Sequence, residues 1–400
     1  MQMDFTAYYT AGKVMNLGLN PYKNYIIENW ELWDGVAQFK HSRFLYPPII
    51  GSFFQIFAEL DYHSAKHLWN YLNLFFVLLA VYLWLRISKL DKNIFAVLIT
   101  VVFTLNFFPF YTLLERGQID GLTFLFLTAA IFFLLNKKNV TSGIFLALAS
   151  IFKFYSLLLI PFLLFKKQYK AAASALISFA AIVILMYSIN GKEQVNDYIF
   201  NHAPRISQFA ESGTEDMKID SWILKNYFPM TKYSITIIEQ RLYVSESISF
   251  FSKASLVKVI DSVQKKAGLN LSNSLWSLIL LALISFIFIR NARRYSEFNY
   301  WIIIILMILL CSPFTWVMNL VWIIPVMLVL IKLIRDNEYK NYVFALILIG
   351  LVFITIPDNY KVNNFIVDNL MKIRYVAGEI LILTGMLLLP KIKRKEISEF

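Results

Sequence analysis

The sequence AKHLWNYLNLFFVLLAVYLWLR occupies residues 65–86 and decides the class of fold. A mostly apolar stretch of this length crosses a hydrocarbon core of about 30 Å as an α-helix. Similar continuous runs recur at 93–113, 120–136, 171–190, 275–290, 299–313, 316–332, 341–356 and 373–390. Because lipid offers backbone groups no hydrogen-bond partner, we expect an all-α, polytopic transmembrane helical bundle, and the runs lack the alternation of a barrel.

Composition supports the same class. The chain has 400 residues, of which 58% are hydrophobic and 16% charged, whereas a soluble domain carries about 25% charged residues. The net charge of +12 does not indicate nucleic-acid binding, because Lys and Arg cluster at the ends of the apolar runs, as the positive-inside rule predicts. A single cysteine, Cys311, cannot form an intrachain disulfide or a thiolate metal site. We predict no metal and no cofactor.

Basic clusters predict the orientation. There are six of them, at Arg86–Lys92, Lys137–Lys138, Lys166–Lys170, Arg290–Arg294, Lys332–Lys340 and Lys391–Lys395. All six lie on the cytoplasmic side only if the stretch 141–165, interrupted at Lys153-Phe154-Tyr155 and at Pro161, is a hairpin of two short helices. Four segments then lie outside: residues 1–46, the turn 115–120, and the sections 191–274 and 357–372.

We predict one integral membrane domain over 1–400. It begins with an outer catalytic-type loop and a short re-entrant or juxtamembrane helix within 1–63. N-terminal helices over 64–190, a long outer loop over 191–274 and C-terminal helices over 275–400 follow. An outer opening loop needs a preceding span to carry it across the bilayer, so we expect a first transmembrane helix upstream of Met1.

Asp4 is the first candidate for chemistry. It stands in MDFTAYYTAGKVMNLGLNPYKN, residues 3–24, among Tyr9, Tyr22 and other aromatic residues. A solvated loop acid is the ordinary interpretation. At a membrane edge, however, desolvation makes a carboxylate a stronger base. Aromatic faces suit sugar rings, although aromatic residues also collect at bilayer interfaces for a non-functional reason.

Arg116, Gln118 and Lys153 are the candidates for binding an anion. Arg116 and Gln118 lie in a tight turn with Gly117, where a planar donor and an amide could hold a phosphate or a sugar hydroxyl. Arg116 could equally pair with Glu115 or Asp120. Lys153 lies inside an apolar stretch and needs a partner or water. It could extend to the interface or bind a lipid phosphate.

Three further residues are weaker candidates. Tyr46 precedes Pro47-Pro48, His202 lies in the long outer section, and Trp316 follows Cys311-Ser312-Pro313. A place in the interfacial aromatic belt would explain Trp316 without a functional role.

The ordered set of these motifs resembles glycosyltransferase family 87. The segments that carry the resemblance are Asp4 to Tyr9, Gly18 to Tyr22, Tyr46-Pro47-Pro48, Gly117-Gln118, Gly143 to Lys153, and Ser312-Pro313 with Trp316 and Pro325. Val317, Met318 and Asn319 stand where that family often has a histidine, so the resemblance does not supply that residue.

The resemblance implies a C-type glycosyltransferase fold and an inverting transfer of a hexose, in the first instance mannose. The donor would be a polyprenyl-phosphate sugar and the acceptor a hydroxyl of a lipid or glycan. Asp4 would be the general base, and Arg116, Gln118 and Lys153, with Tyr9 and Tyr22, would bind the donor. The place would be a bacterial plasma membrane, with membrane lipids around the helices and the active site facing outward.

Three different functions remain open from the residues alone. A transporter or lipid flippase would show inverted repeats and helices broken at mid-membrane. The break at 141–165 fits that pattern, but the two halves of the chain show no repeat. An oligosaccharide polymerase or ligase is the second of these functions, and a non-catalytic membrane scaffold is the third.

Overall fold

The computed structural model describes residues 3–22, 44–204, 254–269, 271–336, 341–357 and 365–389. Every regular element within these ranges is helical, which confirms the all-α prediction. The first nine helices are α1 Met3–Asn16, α2 Pro48–Ala58, α3 Tyr62–Ser88, α4 Ile94–Asn106, α5 Phe108–Arg116, α6 Asp120–Leu135, α7 Asn139–Phe152, α8 Leu159–Phe165 and α9 Tyr169–Asp197. The other six are α10 Leu256–Lys266, α11 Asn273–Asn291, α12 Glu297–Cys311, α13 Pro325–Asp336, α14 Asn341–Thr355 and α15 Phe365–Leu387.

Within the described residues, four helical stretches are long and apolar enough to cross a membrane, or five if the bent pair α4–α5 is one span. They are Tyr62–Ser88, Tyr169–His202, Asn273–Arg294 and Val317–Asp336. The predicted runs 120–136, 299–313 and 341–356 do form helices, α6, α12 and α14, of 15 or 16 residues. A helix of that length is about 23 Å long, which is shorter than the hydrocarbon core.

Helix α12 is the centre of the bundle. Every residue from Tyr300 to Cys311 is buried, which is the expected position for a helix that is apolar all round. The predicted span at 316–332 packs beside it. It begins as a 3-10 helix, Val317–Ile323, and continues as α13.

The run 93–113 is a broken helix. Asn93 caps α4 through its side chain, which accepts a hydrogen bond from the Ala96 N–H, and the chain bends by 53° between α4 and α5. Pro109 explains the break, because proline lacks the N–H that would continue the ladder and fits only a first helical turn. Helix α5 ends at Arg116, and Gly117 follows it with a φ of 67°, the left-handed conformation that favours glycine.

The predicted hairpin over 141–165 is present. Helix α7 ends at Phe152, Lys153 follows in an extended conformation, and a 3-10 helix, Phe154–Leu158, leads into α8. The Lys153 ammonium lies 3.4 Å from Asp120, at one end of α6. The Ser174 hydroxyl, beyond the hairpin, donates a hydrogen bond to the Val140 carbonyl at 2.8 Å. After the hairpin, the start of α9 therefore lies beside the start of α7, at the same end of the bundle. The expected second interruption at Pro161 is absent, because that proline lies in the first turn of α8.

The opening segment is a helix, so the prediction of a loop over 1–46 is wrong for residues 3–16. Helix α1 packs closely on α2: a Cβ placed on Gly12 would lie 2.5 Å from the Phe54 carbonyl oxygen. The polar side chains that indicated a loop have partners inside the bundle. Thr6 and Tyr62 share a hydrogen bond of 2.7 Å, and the Tyr9 hydroxyl donates to the Leu60 carbonyl.

The section predicted as a long outer loop is partly helical. Helix α9 continues to Asp197, with a break at Gly191, where φ is 76°, and a π-helical turn, Tyr198–His202, follows. Helix α10 lies near the other end of the section. Residues 205–253 and the basic tail Lys391–Lys395 lie outside the described residues.

Candidate active site

The turn between α5 and α6 is the anchor of the site. The Trp69 indole donates to the Gly117 carbonyl at 2.9 Å, and the Asn73 amide donates to the Gln118 carbonyl at 2.9 Å. Both donors are fully buried on α3. Because its backbone carbonyls are bound in this way, the turn holds the side chains of Arg116, Gln118 and Asp120 in fixed directions.

Asp4 and Arg116 form an ion pair across two elements. The guanidinium binds the carboxylate through Nε and Nη2, with 3.1 Å between Nη2 and Oδ1. Asp4 is 5% exposed. The pair joins α1 to the end of α5, which brings the first predicted site residue beside the second. Arg116 therefore pairs with Asp4, and the expected alternative of pairing with Asp120 is not what the structure has.

Lys153 has a buried partner, Asp120. The ammonium lies 3.4 Å from Asp120 Oδ2, and the Asn319 amide donates to Asp120 Oδ1 at 2.5 Å. Asp120 and Asn319 are fully buried. This ion pair meets the requirement that an ammonium in an apolar stretch have a counter-charge, so extension to the interface is not its main stabilisation.

Aromatic side chains fill the space between the two ion pairs. The Tyr8 hydroxyl donates to Gln118 Oε1 at 2.9 Å and lies 3.1 Å from the Tyr46 hydroxyl. The Lys153 ammonium faces the Tyr46 ring at 5.6 Å from its centroid. Gln118 and Tyr46 thus join Asp4, Arg116 and Lys153 in one continuous cluster.

Tyr22 extends this cluster toward the end of α9. Its hydroxyl donates to the Tyr46 carbonyl at 2.8 Å, and burial raises the pKa of Tyr22 well above its usual value, which keeps this donor protonated. The His202 ring stacks on Tyr22 with centroids 4.5 Å apart, and its Nε2 lies 3.5 Å from Asp197. His202 therefore belongs to a neighbouring aromatic group that touches the site through Tyr22.

Two predicted residues lie apart from the cluster. Tyr9 is fully buried and donates to the Leu60 carbonyl, so it packs α1 against its neighbours. The Trp316 ring lies under the Lys258 ammonium, 3.4 Å from the ring centroid. Its backbone N–H donates to Asn319 Oδ1 at 2.6 Å, so Trp316 is linked to the site through Asn319.

Sequence reasoning missed Tyr8, Asp120 and Asn319 as members of the site. Tyr8 could have been found, since Phe5, Tyr8, Gly12 and Met15 follow the spacing of one helical face. The contact between Asp120 and Asn319 spans 199 residues, and no local pattern signals it.

A family model described as Glycosyltransferase family 87 matches residues 44–313. No curated protein matches the chain. The matched range includes Arg116, Gln118, Lys153 and His202, whereas Asp4 and Trp316 lie outside it.

The fold and this match define a membrane-embedded transferase that acts on sugars. The chain belongs to glycosyltransferase family 87, which confirms the family resemblance. It is a membrane glycosyltransferase, with sugar donor and acceptor as its substrates.

Proposed function

We propose that this enzyme transfers a hexose, in the first instance mannose, from a polyprenyl-phosphate donor to a hydroxyl of a lipid or glycan acceptor. The observation that carries the proposal is the approach of two ion pairs, Asp4 with Arg116 and Asp120 with Lys153, at one turn. The reaction needs a carboxylate that accepts a proton and a cation that binds the departing phosphate. Both kinds of group are present here, between aromatic faces that suit a sugar ring.

The chemical step assigns the base role to Asp4. An acceptor hydroxyl loses its proton to the Asp4 carboxylate, and its oxygen forms a bond to the anomeric carbon. On the opposite face, the bond from that carbon to the phosphate oxygen breaks, and the polyprenyl phosphate leaves with the electron pair. One displacement of this kind inverts the anomeric configuration.

Arg116 has two tasks in this scheme. A carboxylate bound by a guanidinium is a weak base, because the positive charge favours its ionised form. We infer that the donor phosphate draws Arg116 toward itself, since guanidinium forks bind phosphate as readily as carboxylate. Asp4 is then a stronger base only when the donor is present.

The proposed place of reaction is the extracytoplasmic side of a bacterial plasma membrane. The basic residues Lys138 and Lys166 lie at the ends of α6 and α8 that face away from Asp120 and Lys153. If the basic end is cytoplasmic, the site opens outward, where a membrane-anchored donor supplies the activated sugar.

The test is transfer by reconstituted protein. Vesicles hold the enzyme, a radiolabelled polyprenyl-phosphate hexose and a lipid or glycan acceptor extract. We expect Asp4→Asn to lower kcat by about 10²–10⁴-fold, the usual contribution of a general base, with a small change in the donor KM.

Asp61→Asn is the matched control. Asp61 caps α3 through an exposed side chain, which accepts from the Ser64 N–H at 3.0 Å, and asparagine caps a helix equally well. The control should therefore keep wild-type activity. Turnover by Asp4→Asn at the wild-type rate would refute Asp4 as the base, and transfer from a sugar nucleotide alone would refute the lipid-linked donor.

A further inference from the structure

Several buried polar side chains near the Asp120–Lys153 pair make fewer hydrogen bonds than they could. Among the described residues, Tyr155 Oη and Trp322 Nε1 have no hydrogen-bond partner, and Asp120 Oδ2 has only its 3.4 Å ion-pair contact with the Lys153 ammonium. Tyr155 is 8% exposed and Trp322 is 1% exposed. A buried polar group that is left unsatisfied destabilises the fold, so each one calls for an explanation.

The side chains that carry these atoms lie close together because of two backbone features. Tyr155 lies two residues after Lys153, in the 3-10 helix of the hairpin. Asn319 and Trp322 are three residues apart in the second 3-10 helix, and side chains at that spacing eclipse each other. Asn319 binds Asp120, and the Trp322 ring packs on Tyr155 with centroids 5.3 Å apart. The two 3-10 helices therefore present their polar groups to the same ion pair.

Resting on the proposed function, we propose that Tyr155, Trp322, Asp120 and Lys153 form the subsite that binds the hydroxyl groups of the donor's hexose ring. A ring hydroxyl can donate to a carboxylate oxygen and accept from an indole N–H at the same time. Tyr46, which faces Lys153, adds an aromatic face. The mixture of donors and acceptors fits a neutral polyhydroxylated ring.

Charge favours the sugar over the phosphate at this subsite. Asp120 and Lys153 neutralise each other, and a phosphate placed here would meet the carboxylate oxygen of Asp120. Arg116 is better suited to the phosphate. It uses two N–H groups on Asp4, and a guanidinium carries five. The donor would then lie with its phosphate toward Arg116 and its sugar toward Trp322.

A binding experiment separates the sugar subsite from the reaction. Protein in lipid nanodiscs is titrated with a short-chain polyprenyl-phosphate hexose and with the same polyprenyl phosphate without sugar. Wild-type protein should bind the sugar-bearing lipid more tightly. Tyr155→Phe, which removes a single oxygen, should reduce that preference by about tenfold, the value of one good hydrogen bond. It should leave the affinity for polyprenyl phosphate unchanged.

The chain offers matched controls. Tyr300 and Trp301 are also buried, and Tyr300 Oη and Trp301 Nε1 likewise lack a hydrogen-bond partner in the described part of the chain. They lie on α12, where the Lys166 ammonium faces the Tyr300 ring at 4.6 Å. Tyr300→Phe and Trp301→Phe should keep the wild-type preference, whereas Trp322→Phe should lose it. A donor lacking the partner hydroxyl should bind wild type and Tyr155→Phe equally well.

Each outcome decides the inference. Equal binding of the two lipids by wild type, or an unchanged preference in both Tyr155→Phe and Trp322→Phe, overturns it. If the variants lose equal affinity for both lipids, these residues contact the phosphate or stabilise the fold, and the inference is also overturned. If the sugar preference behaves as expected but no acceptor receives sugar, the subsite stands and the proposed transfer fails.

Discussion

At the scale of single residues, the site is defined by how its charges are paired. Asp4 keeps some contact with solvent through Arg116, whose side chain is 23% exposed, whereas the Asp120 side chain is fully buried beside Lys153. Separating a buried pair leaves a charge without compensation in a medium of low dielectric constant, and this costs far more than the pair contributes. The two pairs should therefore respond differently to substitution.

The first prediction concerns the stability of the Asp120–Lys153 pair. We expect Asp120→Leu or Lys153→Met alone to lower the free energy of unfolding by about 3–5 kcal/mol. The double variant should lose less unfolding free energy than the two single variants together. The reason is that the second substitution removes the buried charge that the first one left without a partner. Unfolding of the purified protein in mixed micelles, followed by circular dichroism, measures all three variants.

An exposed pair provides the comparison. Arg86 and Asp91 lie 3.4 Å apart with side chains 48% and 23% exposed, and exposed pairs contribute about 0–1 kcal/mol. Asp91→Leu should therefore change stability little. Additive losses in the Asp120 and Lys153 variants would contradict a coupled buried pair.

At the scale of secondary-structure elements, the contact between α1 and α2 positions Asp4. The two helices approach closely where Gly12 meets the backbone of Phe54. A neighbouring glycine, Gly51, faces the Met15 side chain, whose Sδ would be the atom nearest to an added Cβ. Backbone cannot move aside as a methionine side chain can, so the same substitution should have two different results.

The second prediction follows from this difference. Gly12→Ala should destabilise the protein by about 1–3 kcal/mol through overpacking, and it should lower transferase activity because α1 carries Asp4. Gly51→Ala should be neutral or stabilising, since alanine favours a helix by about 1 kcal/mol over glycine. Melting temperature and activity are measured for both. Equal effects of the two substitutions would contradict close backbone contact at Gly12.

The same helix shows what the sequence can and cannot predict about the fold. A long apolar run such as α3 is predictable to within a few residues, because burial in lipid requires it to be continuous. Helix α1 is not, since its polar residues have partners only in the folded molecule. Thr6, for example, bonds to Tyr62, 56 positions away.

The sequence likewise predicts some residues of the candidate site and not others. Arg116 and Gln118 are predictable because a glycine turn marks them locally. Lys153 is predictable because an isolated ammonium in an apolar run is conspicuous. Its partner Asp120, by contrast, depends on the meeting of α6 with the hairpin, which only tertiary structure reveals. Trp322 has no local signal, since an apolar run contains it.

At the scale of the whole molecule, orientation in the bilayer is the remaining property that controls access to the site. Glu115 lies in the last turn of α5, beside the turn that leads into α6, and Lys138 lies three residues beyond the other end of α6; both are exposed. The 16 residues of α6 make that helix about 24 Å long. In the proposed orientation, which follows the positive-inside rule, Glu115 is outside and Lys138 is in the cytoplasm.

The third prediction tests this orientation. In intact cells, a membrane-impermeant maleimide should label Glu115→Cys, and it should label Lys138→Cys only after permeabilisation. The parent protein is the control, since its sole cysteine, Cys311, is fully buried. The reverse labelling pattern would place the site in the cytoplasm and contradict the proposed extracytoplasmic reaction.

The long separation of Asp120 from Asn319 has a consequence for how the protein is made. At about 5–20 residues per second, Lys153 leaves the ribosome roughly 2–7 s after Asp120, whereas Asn319 follows about 10–40 s after it. During that interval Lys153 is the only one of these two partners of Asp120 that has been synthesised. Asn319 then adds the second contact to Asp120, so a chain whose synthesis stops before the last fifth of its length lacks part of the site.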